Sequence, residues 1–144
     1  MKFSTVFATF SSILLASAVT GAKTKIGSCG GDNDIMTFKS AQVPTIKAGE
    51  KACGSVTGSL RQPLTDGKVV ITATYMGFTA HEEEKDLCAD SACPLDEGKH
   101  TILVCFNVPD NTPDNLTIDV KVVATTKNAP IFCAEGEVVT HGKN

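Results

Sequence analysis

The chain has 144 residues, a length for one domain, with 13 Lys and Arg against 16 Asp and Glu and a formal charge of −3. This mild acidity excludes a basic stripe for nucleic-acid phosphates and argues against permanent attachment to an anionic membrane surface. There is no Trp and one Tyr, and three of the seven Phe (Phe3, Phe7 and Phe10) lie at the extreme N-terminus.

Lys2, the mostly apolar stretch from Val6 to Leu15, and the small residues Ala16, Ser17, Ala18, Gly21 and Ala22 have the pattern of a secretory leader. The apolar run is short and rich in Ser and Thr, which disfavours a membrane anchor. Cleavage after Ala22 is expected, leaving one domain over residues 23–144. All six cysteines (Cys29, Cys53, Cys88, Cys93, Cys105 and Cys133) fall in that domain. An even count behind a leader reads as three disulfides in an oxidising compartment. No CxxC pair or matching His pair exists, so no metal and no cofactor are expected.

No repeat and no long helix-period stretch interrupts a series of alternating segments. Ile35 to Val43 is predicted as a strand stopped by Pro44. From Glu50 to Arg61, Ala52, Gly54, Val56, Gly58 and Leu60 alternate with polar residues, giving a half-buried strand with one small-residue face. Lys68 to Phe78 is rich in β-branched residues. Lys99 to Pro109 places Ile102, Val104, Phe106 and Val108 on one face, and Asn115 to Thr126 does the same for Leu116, Ile118, Val120 and Val122. Ala129 to Thr140 supplies the last strand. About seven such strands predict an all-β sandwich of two antiparallel sheets.

Cys53 and Cys105 fall on the outward faces of their strands and would bridge if those strands are neighbours. Cys88 and Cys93 would close a short loop, which leaves Cys29 with Cys133. Six cysteines allow 15 connectivities, so the pairing stays open at this point.

An immunoglobulin-type core is normally plugged by a strand Trp, and this chain has none. Val56, the row Ile71, Ala73 and Tyr75, the row Ile102, Val104, Phe106 and Val108, and the row Ile118, Val120 and Val122 would therefore surround an apolar volume. Periodicity alone favours a filled core over such a volume. Catalysis has no support: His81, His100 and His141 stand beside no nucleophile motif, and there is no GxSxG, so no catalytic residue is assigned. The acidic run His81-Glu82-Glu83-Glu84 reads as a solvated loop. Asn115-Leu116-Thr117 fits a glycosylation sequon, whereas Asn111-Thr112-Pro113 cannot serve.

Five short motifs in order are similar to the ML, or lipid-recognition, domain family, which includes the Niemann–Pick type C sterol carrier and fungal phosphatidylglycerol/phosphatidylinositol transfer proteins. They are Ser28-Cys29-Gly30-Gly31-Asp32, Lys47-Ala48-Gly49, Tyr75-Met76-Gly77-Phe78, Asp86-Leu87-Cys88 with Cys93-Pro94-Leu95, and Ile131-Phe132-Cys133. The resemblance implies an immunoglobulin-like sandwich with a lipid between its sheets, and the pairs Cys29–Cys133 and Cys88–Cys93. It also implies a cavity mouth formed by the loops Phe78 to Lys85 and Val108 to Asn115, with Phe78 and the aliphatic rows as lipid-binding residues. Sterol is the first ligand class expected and phospholipid the second. The carrier is expected to be monomeric, in the secreted or the endolysosomal and vacuolar lumen, touching membranes or membrane proteins only transiently and binding no nucleic acid. The competing expectation is an extracellular recognition module that transports no lipid.

Overall fold

The alternating segments become strands in a computed structural model that describes residues 26–127 and 129–143. The leader expected over residues 1–22 lies outside the described residues. Nine strands follow one another: β1 (Ile26–Ser28), β2 (Met36–Gln42), β3 (Ile46–Lys47), β4 (Lys51–Leu60), β5 (Lys68–Tyr75), β6 (Phe78–Asp86), β7 (Gly98–Asn107), β8 (Thr117–Thr126) and β9 (Ala129–His141). One sheet runs β1-β9-β8-β5-β6, with the two-residue β3 added to β9 in parallel; the other runs β2-β4-β7. The remaining pairings are antiparallel.

The inward rows of the two sheets make the core. Val69 and Ile71 of β5, Val120 and Ala124 of β8, and Phe132 and Val138 of β9 face Val56 and Leu60 of β4 and Ile102 and Val104 of β7, all buried. Each fully buried aliphatic side chain contributes about 1.5–3 kcal/mol relative to exposure. The sandwich expected from the alternation is the one that forms.

Two expectations are corrected. Among the described residues the sandwich has nine strands where about seven were expected; β1 and β3 are too short to show a period, and β6 was hidden for another reason. The stretch from Phe78 to Lys85 is not a loop: it is the edge strand β6, joined to β5 by a two-residue turn at Met76 and Gly77 with φ of 50° and 82°. Positive φ at both central residues matches the right-handed twist of the flanking strands. The acidic run hid this strand because its inward-facing positions are polar.

Those polar positions hold the two sheets together along one side. His81, Glu83 and Lys85 are half-buried while Ala80, Glu82 and Glu84 are exposed. Across the gap lies the free edge of β7. Asn107 N–H donates to Glu83 Oε2 at 3.2 Å, Cys105 N–H to Asp90 Oδ2 at 3.2 Å, and Leu103 N–H to Ser91 Oγ at 2.9 Å. Lys85 Nζ donates to Asp90 Oδ2 at 2.8 Å and to the Cys105 carbonyl at 2.6 Å. Inward-pointing charges and a covering loop are ways of blocking an edge strand from pairing with another chain.

Asp90 is the centre of this seam, its side chain 14% exposed. Burial alone raises its carboxyl, but the hydrogen bond from Lys85, the Cys105 N–H and the charges of Lys85 and Lys51 outweigh it, so the group sits below the usual carboxylate range. A depressed folded value adds stability above the unfolded value of about 3.9, and that contribution disappears as pH falls through the folded value. Asp90→Asn is therefore expected to lose about 1–3 kcal/mol at neutral pH. Urea titrations should show the gap from wild type narrowing below about pH 4, where the natural carboxyl also protonates. A gap constant across that range would mean that the charge of Asp90 contributes nothing.

All six cysteines are paired. Cys29–Cys133 joins the end of β1 to β9, Cys53–Cys105 joins β4 to β7, and Cys88–Cys93 closes the loop after β6. Cys105 lies on the outer face of its sheet, as the alternation requires, yet it is only 2% exposed. The bonds from Asp90 and Ser91 draw the loop over that face and explain the burial.

Candidate functional site

An apolar cavity of about 240 Å³ lies between the sheets at the end where β5, β7 and β8 meet the segment from Pro109 to Pro113. Its wall alternates as the strands do. Ile71, Ala73 and Tyr75 come from β5, Phe106 from β7, and Ile118 and Val120 from β8; Val108 follows β7, and Ile46 of β3 closes the floor. Tyr75, Asn107, Pro109, Asn111 and Pro113 on its boundary are exposed, so this end meets solvent. The loop beside it is fixed rather than free. The buried Thr140 Oγ1 donates to the Pro113 carbonyl at 2.7 Å and accepts from Leu116 N–H at 3.0 Å, and Thr140 N–H donates to the Leu116 carbonyl.

A second, smaller cavity of about 40 Å³ lies behind the first, lined by Val56 and Gly54 of β4, Val104 of β7 and Val122 of β8 among others. Ile46, Phe106 and Val120 line both cavities and form the partition. The structure thus distributes the expected lining residues unevenly. Ile71, Ala73, Tyr75, Val108 and Ile118 face the first cavity alone. Val56, Val104 and Val122 face the second, and Phe106 and Val120 face both. Ile102 is fully buried and lines neither. Phe78 lines neither and is 78% exposed at the β5–β6 turn, because that turn carries it away from the sandwich.

Of the inward-facing Ala52, Gly54 and Gly58 on β4, Gly54 borders a cavity. A Cβ at Gly58 would collide with the Thr37 carbonyl and lie 2.7 Å from Met36 Cγ, so the space there is already filled. Alternation placed Leu116 on the inward row with Ile118, but it did not show Ile46, Pro113 or Thr140 at the site. Ile46 sits in a strand of two residues, and the others are positioned by the loop anchored on Thr140. Nor did it show His81, whose imidazole lines the first cavity with a buried Nε2 that has no hydrogen-bond partner and stands 3.5 Å from Glu83 Oε2. Asn115 is exposed just before β8 with φ of 59°, a conformation Asn tolerates. Among the described residues, no group of three or more His, Cys, Asp or Glu side chains is placed to hold a metal ion. No helix there is long and apolar enough to cross a membrane.

No protein-family profile matches the chain. It is 26% identical over 136 residues to a Dictyostelium discoideum protein named for phosphatidylglycerol/phosphatidylinositol transfer, spanning 90% of this chain and 95% of that one. It is 28% identical over 120 residues to the phosphatidylglycerol/phosphatidylinositol transfer protein of Pyricularia oryzae, spanning 76% of this chain and 67% of that one. Among solved structures, a Niemann–Pick type C2 protein from Japanese carpenter ant superposes with a TM-score of 0.63 at 14% identity, over 81% of this chain and 98% of that one. In sequence and in fold the chain resembles the ML lipid-recognition family. Chicken MD-1, crystallised with lipid IVa, shares this ML-type sandwich with a TM-score of 0.57 at 17% identity, over 81% of this chain and 88% of that one. The ML likeness extends across both sheets, and the cavity described above sits between them.

Proposed function

We propose that the chain is a lipid carrier: it takes the apolar part of one lipid between its sheets and exchanges it with membranes, without covalent chemistry. The observation that carries this reading is an apolar cavity between the two sheets that opens to solvent at one end. Each methylene buried there contributes about 0.8 kcal/mol, so an acyl chain is held without a charged clamp. A volume of about 240 Å³ falls short of the roughly 300–1,000 Å³ of pockets that enclose a whole small molecule. It suits one acyl chain with the polar head left outside. The names of the two relatives also support a phospholipid, which places sterol, the first class expected from the sequence, second.

Met76 and Phe78, 77% and 78% exposed beside the rim residue Tyr75, give the hairpin an apolar tip for transient contact with a bilayer. Glu82 and Glu84, exposed on the outer face of β6, disfavour an anionic surface at the same place. Three disulfides support a secreted or endolysosomal lumen as the working compartment.

Native mass spectrometry of the secreted protein, followed by organic extraction, tests the proposal. A co-purifying phospholipid is the expected result, and a sterol would reverse the order of ligand classes. A bare mass that stays unchanged after incubation with mixed lipid vesicles would replace the carrier by a recognition module.

A further inference from the structure

The partition between the two cavities bears on which acyl chains fit. We infer that the smaller cavity is a subsite for the terminal methyl end of an acyl chain, and that Phe106 is the door that sets the longest chain accepted. This rests on the carrier reading and adds a limit on chain length to it.

Three residues separate the cavities, and they differ in freedom. Ile46 and Val120 are buried, 3% and 6% exposed, and are β-branched, hence stiff at χ1. Phe106 is half-buried and unbranched at Cβ. Directly across the sheet it faces Ala52, and the next inward position on β4 is Gly54. A ring beside Ala and Gly meets no bulky neighbour on that strand, so it can change rotamer without displacing one. Gly54 borders the subsite, where a Cβ would lie 2.9 Å from the Gln42 carbonyl and 3.0 Å from Pro44 Cδ, so β4 contributes no side chain at this position between Ala52 and Val56. The subsite boundary is almost wholly apolar, which suits a hydrocarbon end and no headgroup.

With Phe106 across the gap, a chain occupies the first cavity and stops. With the ring turned aside, further methylenes enter the second, each adding about 0.8 kcal/mol, or about fourfold in affinity. Turning the ring offsets part of that gain, which produces a length limit rather than a steady rise.

Binding of lysophosphatidylglycerols of increasing chain length to the full disulfide-bonded protein decides the matter. For wild type, affinity is expected to climb with length and then level. In Phe106→Ala the climb continues, and two methylenes beyond the wild-type limit that variant binds about 15-fold tighter. Phe106→Trp levels at a shorter chain. Phe106→Leu, a milder truncation, gives an intermediate limit and guards against misfolding of the Ala variant. The same limit in all four proteins, each binding and folded, overturns the subsite while leaving the carrier intact. No binding of any chain length by wild type overturns both.

Discussion

Replacing Ala73 by Phe is expected to weaken lipid binding about 200-fold while the protein stays folded. Ala73 is half-buried on the inner face of β5 and lines the first cavity opposite Phe106 and Val108. A benzyl group there occupies space that ligand would fill. Displacing about four methylenes forfeits ~3 kcal/mol at about 0.8 kcal/mol each. Stability should move little, since the new ring enters a void instead of forcing packed neighbours apart; overpacking would cost about 1–3 kcal/mol. Lipid titration and thermal unfolding of the same sample separate the two effects. Undiminished affinity in a stable variant would put the lipid somewhere other than this cavity. Val120→Asp should also abolish uptake, but it buries an unpaired charge in the core and so speaks less cleanly to location.

The disulfides should differ in worth according to the loops they close. Cys29 and Cys133 are 104 residues apart, Cys53 and Cys105 are 52 apart, and Cys88 and Cys93 are 5 apart. In the chain-entropy description, the longest closure is worth about 5 kcal/mol and the shortest about 2. Paired Cys→Ser variants should therefore rank in that order in urea unfolding. Loss of the Cys29–Cys133 bond would remove much of the roughly 5–15 kcal/mol by which a domain of this kind is stable. Equal losses for all three would show that native-state packing around each bond, not chain entropy, governs their contribution.

Much of the sandwich was legible because its inner faces obey a period of two. β4, β7, β8 and β9 lie within two residues of the segments read from alternation, and the bond between Cys53 and Cys105 follows from their facing positions in β4 and β7. β6 was illegible for a physical reason. Its inward positions are polar: Glu83 and Lys85 meet the edge of β7 and His81 lines the first cavity, so a rule that reads inward as apolar reports a loop. The cavity was only half legible. Periodicity says which residues face inward, but not whether they touch across the gap. Ile102 and Val120 share that signature, and one is sealed in the core while the other borders both cavities. The rim depends on Thr140 holding the loop at Pro113 and Leu116, a long-range bond that no local pattern announces.

Each disulfide stays inside one sheet or one loop, and none crosses from sheet to sheet. Immunoglobulin domains do the opposite, fixing the distance between their layers with a bridge through the core. Here the covalent bonds stiffen the two walls while the spacing between them is left to side-chain packing and to the hydrogen bonds of the β6–β7 seam. The molecule is built like a press with rigid plates and an adjustable gap, in which the thickness of the cargo can set the distance between the plates without straining a covalent bond.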